Sequence, residues 1–202
     1  LSGREFAGAD TLATSYAISC AIKKFGKVDM VVCGRQAIDG DTAQVGPQTA
    51  EKLDMPQITY AEQVLFVDNE KIRIKRRLER GIEEVECKFP CMITVGSSAP
   101  ECRFPIAKQV MKYKNAINKA EAEEKGIDCR KLFAAKPYLE IGLWSAADGE
   151  AEDNRIGLSG SPTKVKKIEN VVLTAKESVN VEPTDENLDA LVKELISSHI
   201  IG

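Results

Sequence analysis

The chain holds one histidine, His199, and one tryptophan, Trp144, in 202 residues. With a single histidine no Ser-His-Asp set can be built, and acid–base catalysis by imidazole has no support. The same shortage weighs against a metal centre, since the x3 spacing of Cys87 and Cys91 is a poor match to zinc knuckles. No apolar run approaches the ~20 residues of a membrane span. There is no Walker motif, no GxGxxG and no internal repeat. Charge of neither sign dominates: 28 basic residues face 31 acidic ones, a net charge of -3 that gives no case for bulk nucleic-acid binding. Six cysteines, at 20, 33, 87, 91, 102 and 129, do not suggest a disulfide framework in a chain of this size. Cys20 and Cys33 sit in apolar patterns and read as small buried hydrophobes. Reduced thiols, and no visible signal peptide, make the cytoplasm the expected location. With 43% hydrophobic and 29% charged residues the composition is that of a globular protein.

What is present is one informative loop. Val28-Asp29-Met30-Val31-Val32-Cys33 reads as a short buried strand. Thr49 to Leu53 reads as helix. Between them run Gly34, Arg35, Gln36, Ala37, Ile38, Asp39, Gly40, Asp41, Thr42, Ala43, Gln44, Val45, Gly46, Pro47 and Gln48. A polar, glycine-bearing loop between the carboxyl end of a strand and a helix N-terminus is where open α/β sheets hold anions. Asp41 with Gln44 has the form of a capping box, and Gly46 as cap with Pro47 at the first helical position is the other option. In both, the amides of 42 to 46 are poorly used by the helix and can hold a phosphate. The plain alternative is an ordinary capped strand–helix turn.

Elsewhere the periodicity is mostly clear. Ala9 to Phe25 reads as a helix stopped by Gly26. Gln57 to Phe66, Lys71 to Arg77, Glu83 to Lys88 and Met92 to Val95 read as strands, giving a βα unit followed by an antiparallel meander. Pro105 to Gly126 has helical spacing at Ile106, Val110, Met111, Tyr113 and Ile117. Residues 127–182 have little periodicity, with Trp144, Ile156, Leu158, Val165 and Val171 to Leu173 scattered among Gly, Ser and Pro. They read as an arm that packs on another subunit, with packing on its own domain as the alternative. Thr184-Asp185 caps a last helix with Leu188, Leu191, Val192, Leu195 and Ile196 on one face.

Gly34-x-Gln36-Ala37-Ile38-Asp39-Gly40-Asp41 with Val45-Gly46-Pro47-Gln48 resembles the nucleotide loop of the electron transfer flavoprotein β subunit. Arg4 to Thr14 resembles the segment typical of electron-bifurcating members. Ser98 to Pro105 resembles the lead into the partner-recognition loop, and Trp144 to Ala146 with Gly157 to Val165 resembles the tail segment. The resemblance covers nearly the whole chain, in order.

It implies a Rossmann-like, adenine-nucleotide-binding (HUP-type) three-layer α/β domain with a mixed sheet at 1–126. An extended C-terminal arm and helix at 127–202 would contact an α subunit. It implies one further βαβ unit before Leu1, whose adenine and ribose contacts are missing here. The implied cofactor is FAD, with AMP as the alternative in ordinary members. Phosphate contacts carried over from the family fall on Ala37, Gly40, Ala43, Gln44 and Val45, mainly through backbone amides, within a site that also takes in Gly34, Gln36, Asp41 and Thr42. Asp39 and Asp41 are expected to hold the loop by side chain–backbone bonds. Thr11 and Thr14 would face a pyrophosphate; the alternative is Asp10 as a helix cap with both threonines in the first turn. Arg4 is equally an exposed charge or a cofactor contact. Phe104, beside Pro105, would anchor a partner dehydrogenase, or else tuck under the following helix. In a heterodimer with the α subunit, the resemblance implies NADH as electron donor, and an acyl-CoA dehydrogenase-type enzyme and ferredoxin or flavodoxin as acceptors. A nucleotide-sensing or structural module is the reading from another class.

Overall fold

A computed structural model describes residues 1–166 and 180–201. The chain divides into two compact units, Leu1–Lys164 and Val165–Gly202. The first is built on a mixed five-stranded sheet of order β1-β5-β2-β3-β4. Its strands are β1 (Met30–Gly34), β2 (Gln57–Val67), β3 (Lys71–Leu78), β4 (Gly81–Lys88) and β5 (Cys91–Val95). β1, β5 and β2 run parallel; β2, β3 and β4 form the antiparallel meander. β5 lies between parallel neighbours and is buried almost throughout, as its unbroken apolar run requires. β3 alternates: Ile72 and Ile74 are buried in the core with Ile58, Ile93 and Cys91, and the intervening basic residues face outward. Those cations pair across to carboxylates, Lys71 and Arg73 with Glu86, and Arg76 with Glu83.

The expectation of a buried first strand is corrected. Among the described residues β1 stands at the edge of the sheet, bonded to β5 alone; Val32 is 56% exposed and Cys33 is half-buried. An apolar run cannot by itself report which strand stands at the edge. Cys20, by contrast, is buried as expected.

α1 (Thr11–Phe25) packs on α2 (Val45–Lys52), and α2 packs on β5 and β2. α2 starts four residues earlier than its apolar pattern suggests, with Gln44 as its cap. Pro47 is therefore its third residue, a position whose amide would have no partner inside the helix, so the proline costs no bond. Neither sequence-based capping option is adopted. Gly46 is what lets α2 approach the sheet: a Cβ there would lie 2.9 Å from Thr94 Cγ2 and 3.6 Å from Cys33 Cβ.

The single helix expected over 105–126 is two, α3 (Ala107–Tyr113) and α4 (Lys119–Glu124). Asn118 starts the second, its side chain accepting from the Glu121 amide. Ile117 between them is buried and bonds as a strand to residues 139–141. α5 (Cys129–Ala135), capped by Asp128, follows. The stretch from Trp144 to Thr163 packs on its own unit: Ala146 and Ile156 join Tyr16, Ala17 and Cys20 of α1 in one core. For this stretch the structure takes the own-domain alternative, and residues 127–164 lie in the first unit. Val171, Val172 and Leu173 fall outside the described residues. In the second unit α6 (Asp185–Ser197) begins at Thr184, whose hydroxyl accepts from the Asn187 amide. No helix among the described residues is long and apolar enough to cross a membrane.

Gly46→Ala should destabilise the first unit by about 1–3 kcal/mol, the usual cost of overpacking a filled site. Thr94→Ser removes the obstructing methyl and should recover part of that loss. Gly34→Ala, where a Cβ meets nothing within 4 Å, is the near-neutral control. Urea midpoints of the four chains and the double variant check this; additive losses in the double variant would refute the proposed contact.

Candidate functional site

The loop after β1 leaves the sheet where Arg35 N donates to the Val95 carbonyl at 3.0 Å. Asp41 N donates to the Ala37 carbonyl at 3.1 Å and closes a turn. The Gln36 amide Nε2 donates to Asp41 Oδ1 across that turn. Asp41 thus holds the loop through a side chain and not, as expected, through backbone amides. No such bond is formed by Asp39 among the described residues. Asp41 and Ala43 take left-handed backbone, φ 51° and 54°. Residues 37–42 are exposed, Ile38 to 98%. Among the described residues the amides of Thr42, Ala43, Gln44, Val45 and Gly46 donate to no group of the protein. They sit at the positive end of α2, so the loop can receive an anion.

The second expected segment meets the first. Thr11 Oγ1 donates to Gln44 Oε1 at 3.0 Å, and one turn on Ser15 Oγ donates to Gln48 Oε1 at 3.3 Å. Two contacts, each four residues apart on both helices, set α1 and α2 parallel with their N-termini side by side. Ala13 of α1 and Ala50 of α2 are both buried. The structure therefore gathers Asp10, Thr11, Gln44 and Val45 at one end, continuous with Gly34, Gln36, Ala37, Gly40, Asp41, Thr42 and Ala43. Thr14 lies half-buried one turn into α1. Phe104 and Pro105 are not part of this group. Phe104 is 90% exposed, so it is not tucked under α3.

Asp10 is the N-cap of α1. Its Oδ1 accepts from the Leu12 and Ala13 amides at 2.9 and 3.0 Å. Its Oδ2 accepts from the Thr163 amide at 3.0 Å, and its own amide donates to Ser161 Oγ at 2.8 Å. Ser161 Oγ in turn donates to the Gly157 carbonyl at 2.6 Å. Gly157 has φ 51°, and a Cβ there would run into the Glu5 carbonyl. Partial desolvation pushes the Asp10 carboxyl up, but the bonds from the Ala13, Thr163 and Leu12 amides and from Ser161 together outweigh it and hold the group below its ordinary value. Ser161 and Thr163 are site-forming residues that sequence reasoning gave no role. The signal available was their Ser-Pro-Thr clustering, which marks a turn but not its distant partner.

These features define the class first: an open-sheet α/β protein whose candidate site lies at the carboxyl end of a parallel strand, where two helix N-termini meet. The chain matches the electron transfer flavoprotein domain over residues 1–125. It is 40% identical over 201 residues to the electron transfer flavoprotein subunit beta of Thermoanaerobacterium thermosaccharolyticum, covering 100% of this chain and 68% of that protein. Protein FixA of Sinorhizobium fredii is 36% identical over 205 residues, covering 98% and 64%. The acryloyl-CoA reductase electron transfer subunit gamma of Anaerotignum propionicum is 38% identical over 208 residues, covering 100% and 69%. The chain thus spans about two thirds of the length of these relatives. The chain belongs to the electron transfer flavoprotein family and is of the β-subunit type.

The Asp10 carboxylate should make stability pH-dependent. Because its folded pKa is depressed, its contribution is present above the ordinary value of 3.8 and is lost as pH falls through the folded value. Asp10→Asn keeps a cap but does not titrate. The stability advantage of the parent chain over Asp10→Asn should therefore be larger at pH 7 than at pH 3 in urea unfolding. A difference independent of pH would contradict the role given to Asp10.

Proposed function

We propose that this chain is the β subunit of a heterodimeric electron transfer flavoprotein that holds FAD and takes part in NADH-dependent electron bifurcation. The observation that carries the reading is the Thr11–Gln44 bond, which joins two segments 33 residues apart into one anion-receiving surface. The amides of 42 to 46 would hold one phosphate, with Gly40 and Ala43 letting it come close to the chain. The Thr14 hydroxyl would donate to the second phosphate of a dinucleotide, while Thr11, whose proton goes to Gln44 Oε1, would hold the two helix ends together. Bound FAD would supply hydride acceptance and one-electron transfer, chemistry that belongs to the cofactor. The chain's own work is to place the cofactor and set its field. Support for the bifurcating group comes from the likeness to FixA proteins and to an acryloyl-CoA reductase electron transfer subunit gamma. On this reading the partners are an α subunit, an acyl-CoA dehydrogenase-type enzyme, and ferredoxin or flavodoxin. The exposed Phe104 ring, followed by Pro105, is the proposed anchor for the dehydrogenase.

One observation favours AMP instead. Asp10 already occupies the first-turn amides of α1 and sets a carboxylate beside them. That leaves the amides after β1 as the free anion site, enough for a single phosphate.

The two readings separate by nucleotide analysis of the denatured α–β complex. A Cβ at Gly40 meets nothing within 4 Å and the residue is exposed, so Gly40→Leu should change the urea midpoint little while emptying the site of nucleotide. Thr14→Val should weaken FAD by about 1.5–3 kcal/mol, the scale of a lost hydrogen bond to a charged group, and should spare AMP. A nucleotide count per complex in Gly40→Leu equal to that of the parent refutes the loop assignment. The α subunit would carry a FAD of its own, so two FAD per complex is the expected count, and one FAD with one AMP refutes bifurcation in this subunit.

A further inference from the structure

A cleft of about 620 Å³ lies on the other side of Arg35, between the β3–β4 turn and the turn that follows β5. Its size is that of small-molecule sites. Arg35, Tyr60, Arg77, Leu78, Arg80 and Ser97 are among its lining residues. Three features of it are unusual for a bare surface.

The first is charge. The other cations of β3 are spoken for: Lys71 and Arg73 by Glu86, Arg76 by Glu83, and Lys75 and Arg77 by Glu62. Arg35 and Arg80 have no carboxylate partner among the described residues. Glu79 is the one acidic group on the lining, so the cleft keeps a net positive charge. The second is backbone. Ala99 N donates to the Gly96 carbonyl at 3.2 Å, closing a turn in which the amides of Ser97 and Ser98 donate to no group among the described residues. Successive free amides with two hydroxyls beside them suit a polyoxygen anion. The third is Tyr60. It lies at a break in the β2–β5 register with φ 59°, a conformation that a bulky residue rarely takes. Its amide donates to Thr94 Oγ1 at 3.2 Å. The bulge brings an aromatic ring to the cleft, where Leu78 is the apolar neighbour. Strained aromatic positions of this kind gather at ligand sites.

We propose that this cleft is a second binding site, distinct from the loop at 36–45, for a small phosphate monoester carrying a planar ring. The phosphate lies between Arg35, Arg80 and the Ser97–Ser98 amides and hydroxyls, and the ring lies against Tyr60 and Leu78. A phosphate dianion offers three acceptor oxygens, which two guanidinium forks and a pair of amides can share; a carboxylate offers two, which one arginine satisfies. The proposal does not depend on which cofactor the loop holds.

Amide NMR of the full chain tests it, with phenyl phosphate and inorganic phosphate as the two probes. Phenyl phosphate should give saturable shifts centred on Gly96 to Ser98 and Glu79 to Gly81. Inorganic phosphate should do so about 10-fold more weakly, the factor that ~1.4 kcal/mol of ring contact provides. Arg35→Gln and Arg80→Gln, both at exposed positions, should each weaken phenyl phosphate by about 10-fold, the same spectra confirming that the variants are folded. Shifts confined to the amides of 42–46 would place the anion at the loop and overturn the second site. So would the absence of saturable shifts, or unchanged affinity in both arginine variants. Equal affinity for the two probes would overturn the role given to Tyr60 and Leu78. A failed loop assignment leaves all of these outcomes readable, because the two sets of amides report separately.

Discussion

The carboxylate of Asp10 is the point on which the first unit turns. One oxygen closes the N-terminus of α1; the other takes the amide of Thr163, 153 residues away. A cap on an isolated helix contributes about 1 kcal/mol. Here the same group also fixes where the distant tail crosses the helix. Ser161, bonded both to the Asp10 amide and to the Gly157 carbonyl, completes the junction. Tyr16 extends it, its hydroxyl accepting from the Glu152 amide at 3.2 Å and its ring lying 3.9 Å from the Arg155 guanidinium. The start of α1 is thereby held rigid before anything approaches it, and Thr11 is held against Gln44.

That rigidity has an electrostatic side. Helix N-termini attract anions, yet α1 has its own anion built in. The free positive end belongs to α2, whose cap Gln44 uses its side chain to accept from Thr11 and leaves its backbone neighbours open. The two helices look alike as sequence and differ in what they leave available.

Much of this was legible in the residues. The strands of the meander, the start of α6 at Thr184 and the stop of α1 at Gly26 follow from alternation, capping chemistry and a missing Cβ. The loop after β1 was recognisable as a polar turn leading to a helix N-terminus, and Asp10 as a cap. What was hidden depended on distance. Nothing in Ser161 or Thr163 announces Asp10 as a partner, and nothing in Ile117 announces that it leaves the helical row to bond residues 139–141. Helical spacing over 105–126 misled because Asn118 is both compatible with a helix and a strong starter of a new one. The early start of α2 was hidden by Pro47, which reads as a break until its position in the first turn is known.

The exposed flank of β1 has a consequence for how the chain behaves among copies of itself. Met30-Val31-Val32-Cys33-Gly34 carries no charge and no proline, and its outer row of backbone groups has no strand beside it among the described residues. Edges of that kind are normally blunted by lysine, proline or a bulge, because an uncovered one templates the addition of another strand. Those five residues are therefore where a further strand can add to the sheet by main-chain hydrogen bonds alone.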